Sequence, residues 1–259
     1  MAYGVLLTVA YDGAPFSGFA RQTNARTIAG ELDGAVRAID PRATPVRGAS
    51  RTDARVHARA QRVAFDTAQS ISPRGWALAL AQELPDQISI VTVAEVEPGY
   101  DPRRHALDKT YRYVIFESQS RDPFLVHRAW RVGYRLNHEL MRSEAQALVG
   151  EHDFRAFRSS KDVRKHTVRQ IQHAAVQVCA GDPRCLDIEI TGNGFMHRMV
   201  RIIAGTLVDV GRSRLAPGTV ARALESGERD DLGMTAPPDG LFLEQIVLSD
   251  AGWNPWPNG

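Results

Sequence analysis

The sequence predicts an α+β fold built from two halves that follow a similar order of strands and helices. Short segments with alternating apolar residues predict strands, and longer segments with apolar residues three and four positions apart predict helices. In the first half these segments follow one another as β-α-β-loop-β-α-β, which is close to a ferredoxin-like unit. The second half follows a strand–helix–strand–strand–helix–strand order. A chain of 259 residues that is 43% hydrophobic has enough apolar material for this fold.

The first half contains clear start and stop signals for its elements. Thr27 is a typical N-cap residue, and Asp40-Pro41 ends the helix that it opens. Ser72-Pro73 opens a second helix with proline at its first position. The predicted elements are a strand at Val5–Ala10, a helix at Thr27–Ile39, a strand at Arg62–Asp66, a helix from Ser72 to Leu84 and a strand at Ile88–Val96.

A proline- and glycine-containing joint at residues 97–109 separates the halves. We therefore expect an N-terminal domain at 1–104, a C-terminal domain at 105–250 and a mobile tail at 251–259. The predicted elements of the second half are a strand at Lys109–Glu117, a helix at Asn137–Val149, a hairpin of Thr167–Cys179 and Cys185–Thr191, helices at Asn193–Gly211 and Pro217–Ser226, and a strand at Gly240–Ser249.

Composition and charge exclude several classes of protein. No apolar run is long enough to span a bilayer, and the N-terminus does not resemble a signal peptide. Two cysteines, Cys179 and Cys185, are too few for a zinc site or a secreted disulfide framework, although one disulfide between them is conceivable. The sequence therefore predicts a cytoplasmic protein without a metal.

The net charge is only +2, but positive charge is concentrated in one stretch. Residues 155–169 carry six cations against a single Asp162, and residues 224–248 are acidic. A basic stripe on a nearly neutral protein indicates a local site for a polyanion. The predicted backbone contacts in this basic run are Arg158, Lys161, Arg164 and Lys165.

The stretch Gly48–Gln61, which reads GASRTDARVHARAQ, is the candidate centre of function. It is a polar loop between two predicted strands, and Asp53 is its only carboxylate. A carboxylate nucleophile must be ionised, and a nearby guanidinium favours the ionised form and orients it. Arg51 supplies that pairing locally. An ordinary turn with solvated arginines would show the same tripeptide.

The longer stretch resembles the signature loop of the tRNA pseudouridine synthase A family, G-A-G-R-T-D-A-G-V-H-A-x-x-Q. Ten positions match at fixed spacing, and two depart from it, because Ser50 and Arg55 stand where the family usually has glycine. If residue 55 has a positive φ, arginine costs roughly 1–2 kcal/mol there.

Other segments resemble the same family along almost the whole chain. They are Tyr11–Gln22 with the form Y-D-G-x-x-F-x-G-F/W-Q-x-Q, Arg103 to Tyr113 with R-x-x-A-x-x-R/K-x-Y-x-Y, Asn193–Gly211 with A/G-x-x-F-x-x-x-M-V-R, and Gly240–Ser249 with G-L-x-L-x-x-V. We interpret Tyr11–Gln22, in which Ala20 replaces the usual glutamine, as mainly structural, with RNA contact also possible.

The resemblance implies a fold, an activity and a set of site residues. It implies two related halves, each like a ferredoxin or RNA-recognition domain, which join into one mainly antiparallel sheet flanked by helices with a basic cleft between them. It also implies a homodimer that converts uridine to pseudouridine at tRNA positions 38, 39 and 40 and needs no cofactor. The implied roles are nucleophile for Asp53, orientation of Asp53 for Arg51, base stacking for Tyr111, base contact for Leu243 and a place near Asp53 for Arg201, although core ion pairing of Arg201 is an equal alternative.

Two rival interpretations remain open. One is a catalytically impaired RNA-binding paralogue, which the departures at Ser50 and Arg55 would permit. The other is a carboxylate enzyme such as a glycosidase, which needs two paired carboxylates where the loop offers only Asp53. We rank the glycosidase last for that reason.

Overall fold

The structure is a computed structural model, and it describes residues 2–249, 253 and 255–257. It divides into two compact units, unit 1 with residues 1–107 and 243–259, and unit 2 with residues 108–242. These units differ from the predicted domains 1–104 and 105–250. Unit 1 also includes residues 105–107 and the end of the closing strand, which the prediction assigns to the C-terminal domain. That domain division stays a prediction.

Unit 1 carries a sheet whose strands run in the order β4-β1-β3-β10, with the short β2 paired to β3. The pairs of β1 with β3, β1 with β4 and β2 with β3 are antiparallel. The last strand of the chain therefore completes a sheet that the N-terminal segment begins. The elements are β1 (Tyr3–Tyr11), α1 (Ile28–Ile39), β2 (Arg47–Gly48), β3 (His57–Thr67), α2 (Pro73–Glu83), β4 (Ile88–Val96) and β10 (Leu241–Leu248), which enters unit 1 at Leu243.

Both helices of unit 1 begin where the sequence predicts. The Thr27 side chain accepts a hydrogen bond from the Gly30 N–H, and the Ser72 side chain accepts one from the Gly75 N–H. Each cap satisfies a backbone donor that has no partner inside its helix. In the core, Phe65 of β3 meets Trp76 of α2 edge to face, with 5.0 Å between the ring centroids.

Unit 2 has strands in the order β5-β9-β8-β7, all antiparallel, with β6 parallel to β5. Its elements are β5 (Ala106–Glu117), β6 (Trp130–Val132), α3 (His138–Gln146), β7 (Gly150–Asp153), β8 (Val168–Val178), β9 (Cys185–Gly192), α4 (Met199–Gly211) and α5 (Thr219–Ser226). The predicted hairpin is β8 and β9, and its two cysteines are free thiols. The fold is thus α+β with mostly antiparallel strands and helices beside them.

The helix predicted at Asn193–Gly211 is too long by six residues, because α4 begins only at Met199. Arg198, directly before it, has a φ of 63°, in the left-handed region that interrupts a right-handed helix. The preceding turn is held by contacts from elsewhere in unit 2. The His197 N–H donates to the Asp162 carboxylate at 2.8 Å, and the Phe195 carbonyl accepts from Arg164 at 3.2 Å.

Part of the C-terminal tail that we expect to be mobile lies outside the described residues, namely 251, 252, 254, 258 and 259. Of its described residues, Trp256 exchanges two backbone hydrogen bonds with Val93 of β4, at 2.8 and 2.9 Å. Within the described part of the chain, no helix combines the length and hydrophobicity needed to cross a membrane.

Candidate active site

Both ends of the Asp53 loop are fixed by one buried glutamine. Gln61 of β3 accepts a hydrogen bond from the Ser50 N–H at 3.2 Å and donates one to the Ser50 carbonyl at 2.9 Å. Gln61 is fully buried, and the Ala49 N–H next to it donates to the Arg62 carbonyl at 2.8 Å. A primary amide offers a donor and an acceptor together, so this residue closes the loop in a way that a carboxylate cannot.

The segment Tyr11–Gln22 supports the Asp53 loop through contacts with Thr52. The Tyr11 hydroxyl lies 2.8 Å from Thr52 Oγ1, and the Phe19 N–H donates to the Thr52 carbonyl at 3.1 Å. Gly18 has a φ of 99°, and a Cβ there would lie 2.8 Å from the same carbonyl. The mainly structural role predicted for this segment is therefore a specific one, since it holds the residue before Asp53.

Asp53 itself is half-buried between the buried Thr52 and the exposed Ala54. Its carbonyl accepts a hydrogen bond from the Val56 N–H at 3.2 Å, which makes a tight turn after it. Arg55 within this turn has a φ of 67°, so the residue that replaces the usual glycine does adopt the left-handed conformation. The loop thus presents one carboxylate on a backbone that is fixed on both sides.

A buried histidine at the end of the loop is a contact that sequence reasoning missed. His57 Nδ1 lies 3.1 Å from the Gly13 nitrogen and 3.2 Å from Asp12 Oδ1. A Cβ on Gly13 would lie 2.0 Å from the Val56 carbonyl oxygen, so only glycine permits this approach. The position of His57 in the signature was the only sequence signal for this contact, because its partner Gly13 lies 44 residues away in the chain.

Arg51 does not pair with Asp53 as the sequence predicts. In the part of the chain that the structure describes, its exposed guanidinium has no hydrogen bond or ion pair. It lines a cavity of about 440 Å³ instead. The prediction assumed that residues close in sequence have side chains that face each other, and this pair does not.

In unit 2, the two tyrosines of β5 have different roles. Tyr111 is buried and meets Phe195 edge to face, with 5.0 Å between the centroids. Tyr113 is completely buried and donates its hydroxyl to the Pro237 carbonyl at 2.8 Å. Burial raises the pKa of Tyr113 well above its ordinary value, although the charge of Arg201 opposes the shift. Tyr113 therefore belongs to the core.

Arg201 of α4 holds the segment that leads to β10. Its Nε donates to the Ala236 carbonyl at 2.8 Å, and its own carbonyl accepts from the Ala236 N–H at 2.9 Å. Leu243, the remaining predicted contact of the base, is fully buried in unit 1. Asp53, Arg51 and Leu243 are thus residues of unit 1, and Tyr111 and Arg201 are residues of unit 2.

The basic run contains one internal ion pair as well as exposed cations. Arg164 binds the Asp162 carboxylate through Nε and Nη2, the latter at 2.6 Å. This hydrogen bond is the largest cause that holds the pKa of Asp162 far below its usual range. Arg158 donates to the Arg164 carbonyl at 2.8 Å, whereas Lys161 and Lys165 are exposed. Arg164 is therefore part of the scaffold of this loop.

No group of three histidine, cysteine or acidic side chains that could hold a metal occurs among the described residues. The chemistry available on the described loop is that of a carboxylate on a fixed backbone with cations nearby.

Comparison with known proteins identifies the family that this chain resembles. A family model described as tRNA pseudouridine synthase matches residues 7–103 and 145–247. A tRNA pseudouridine synthase A of Bacillus velezensis is 40% identical over 95% of this chain and 99% of that protein. One of Caldicellulosiruptor bescii is 36% identical over 94% of this chain and 98% of that protein.

Among solved structures, a Cbf5-Nop10-Gar1 complex matches with a TM-score of 0.40 and 9% identity. The match covers 93% of this chain and 48% of that one.

Proposed function

Because this chain belongs to the tRNA pseudouridine synthase family, we propose that it isomerises uridine to pseudouridine at positions 38, 39 and 40 of the tRNA anticodon stem-loop, with Asp53 as nucleophile. The observation that carries the proposal is the loop Gly48–Gln61. It combines the signature spacing with a single carboxylate on a backbone fixed by Gln61 and Thr52.

The reaction breaks the C1′–N1 glycosidic bond of uridine, turns the base and joins it to the same sugar through C5. It requires neither a redox step nor ATP. A stacked base cannot reach a carboxylate in a protein loop, so the uridine must first leave its stack. Asp53 then attacks C1′ directly or promotes a glycal route, and the fixed loop presents its carboxylate without further ordering.

The other predicted site residues complete the proposed site. Tyr111 stacks on the extruded base, Leu243 contacts its face, and Arg201 also belongs to the substrate-binding residues. Tyr111 already makes an aromatic contact with Phe195, which fixes the plane of its ring. Arg51 contributes a positive charge close to the nucleophile, and we propose that this charge contacts the RNA.

At the level of the whole molecule, the proposal includes two related halves, each like a ferredoxin or RNA-recognition domain. It also includes a homodimer, tRNA as the bound partner and a cytoplasmic location. Arg158, Lys161 and Lys165 are the backbone contacts of the basic run, and Arg164 supports the loop that carries them.

A conversion assay on an unmodified tRNA transcript tests this function. The wild-type protein should form pseudouridine at one or more of positions 38, 39 and 40 without added metal or nucleotide. The strained Arg55 motivates the alternative, an RNA-binding protein that has lost catalysis. A protein that binds the transcript tightly and forms no pseudouridine would favour that alternative.

A further inference from the structure

The cavity beside the Asp53 loop lies entirely within unit 1. Its volume of about 440 Å³ falls in the range of roughly 300–1,000 Å³ that is usual for small-molecule sites, and a phosphate alone would not fill it. The lining residues are Phe19, Ala20, Arg21, Ala29, Val46, Arg47, Gly48, Arg51, Asp101 and Arg103. Four arginines and one acid form its polar wall, so the cavity suits an anion that also carries an apolar part.

Two of the four arginines are already neutralised. Arg47 donates from both terminal nitrogens to the Asp66 carboxylate, at 3.0 and 2.9 Å, and its Nε donates to the Tyr100 carbonyl. Arg21 is paired with Asp33 and also donates to the Val46 carbonyl. These pairs shape the wall and leave little charge for a ligand.

The other two arginines have charge available for a ligand. Arg51 and Arg103 are exposed, and neither has a carboxylate partner anywhere in residues 2–249, 253 and 255–257. The acid of the wall, Asp101, accepts from the Arg103 N–H at 3.0 Å and lies 3.7 Å from Arg104 Nε, so its charge is partly offset. Two guanidinium groups that flank one cavity match the bidentate recognition of a phosphate.

The cavity is also close to the nucleophile. Arg51 precedes Asp53 by two residues, so their Cα atoms are at most about 7 Å apart. Phe19 also lines the cavity, and the absence of a side chain at Gly48 makes room for its ring, because a Cβ there would lie 2.3 Å from it.

We propose that this cavity is a subsite for the RNA backbone, in which Arg51 and Arg103 bind the phosphodiester and ribose of the nucleotide next to the uridine that Asp53 attacks. The inference rests on the proposed function. It gives Arg51 a contact other than Asp53, and it gives Arg103, the first residue of the segment that continues to Tyr113, a role in binding.

A double-mutant cycle between protein and RNA tests the subsite. The RNAs are stem-loops with a target uridine, either unmodified or carrying one neutral methylphosphonate at a single linkage beside it. Affinity is measured for two proteins, Asp53→Asn and the double variant with Asp53→Asn and Arg103→Gln. The Asp53→Asn substitution keeps the uridine unconverted. On unmodified RNA, Arg103→Gln should weaken binding about tenfold and lower the salt slope by about 1. On the RNA whose contacted linkage is neutral, the penalty should disappear.

Arg104→Gln is the matched control, because Arg104 is the adjacent exposed arginine but does not line the cavity. It should weaken binding less and show no coupling to any linkage. Arg103→Lys should recover part of the affinity, and both Arg103 variants should melt at the wild-type temperature. Equal losses for Arg103→Gln and Arg104→Gln, or a penalty that persists on every RNA, would overturn the proposal.

A free anion would be the other source of the same chemistry. If the cavity were a site for free phosphate, inorganic phosphate would raise the melting temperature of the protein, and Arg103→Gln would abolish that rise. No RNA linkage would then show coupling to Arg103. This result too would overturn the assignment of the cavity to the RNA backbone. The conversion assay separates the two proposals. If wild-type protein forms pseudouridine while the cycle fails, only the subsite is wrong.

Discussion

The hydroxyl of Tyr11 lies 2.8 Å from Oγ1 of Thr52, in a buried contact between the first strand and the residue before Asp53. This hydrogen bond links the N-terminal sheet to the position of the candidate nucleophile. Tyr11 is 4% exposed and Thr52 is 7% exposed, so water cannot replace a lost partner easily.

Tyr11→Phe should therefore impair turnover more than RNA binding. Loss of the hydroxyl leaves Thr52 without this partner and should cost about 1–3 kcal/mol of unfolding free energy. Displacement of the loop should lower single-turnover conversion roughly 10- to 100-fold. Tyr3→Phe, on the exposed end of the same strand, is the control and should change neither quantity. Unchanged conversion in Tyr11→Phe would show that the hydrogen bond between Tyr11 and Thr52 does not position Asp53.

Arg55→Gly should leave conversion unchanged or raise it. Arg55 has a φ of 67°, where a side chain with a Cβ is strained by roughly 1–2 kcal/mol, and glycine is not. The gain is partly offset because glycine makes the unfolded chain more flexible. Arg55→Ala keeps the Cβ and removes the charge, so it should be less stable than Arg55→Gly in denaturant titrations. Complete loss of conversion in Arg55→Gly would mean that the arginine has acquired a required role.

Lys165→Gln and Arg164→Gln should have different effects, because Lys165 is proposed to contact RNA and Arg164 stabilises the loop of the basic run. Lys165 is exposed, so its neutralisation should weaken tRNA binding for all sequences alike and lower the salt slope by about 1, with no change in melting temperature. Arg164→Gln should lower the melting temperature, because it removes the charged partner of Asp162. If Lys165→Gln leaves both affinity and slope at wild-type values, the lysine is an ordinary surface residue.

Asp162→Asn should destabilise the protein at neutral pH, by about 1–3 kcal/mol from the lost charged hydrogen bonds. The folded-state pKa of Asp162 lies below its unfolded value, mainly through Arg164, so its charge contributes stability above the unfolded pKa. That contribution is lost as the pH falls below about 4. The difference between wild type and variant, measured by urea unfolding, should therefore shrink in acid. A difference that stays constant from pH 7 to pH 3 would contradict this account.

The local signals in the sequence predicted the elements well, and long-range contacts explain where they failed. Thr27 and Ser72 both cap helices as expected, because each acts on the N–H groups of its own first turn. The late start of α4 goes with contacts from Asp162 and Arg164, which are distant in sequence, and a periodic pattern of apolar residues carries no information about such contacts. The cavity was missed for the same reason, since its four arginines come from three separate segments.

The most direct test of the account is a pair of measurements on Asp53→Asn. The substitution keeps the size of the side chain and removes its charge and nucleophilicity. Pseudouridine formed under single-turnover conditions should fall by many orders of magnitude, because Asp53 is the only carboxylate of the loop. Affinity for tRNA at fixed salt should persist or rise slightly, because phosphate contacts dominate it. Conversion within about tenfold of wild type, roughly 1.4 kcal/mol of barrier, would contradict the assignment of Asp53 as nucleophile.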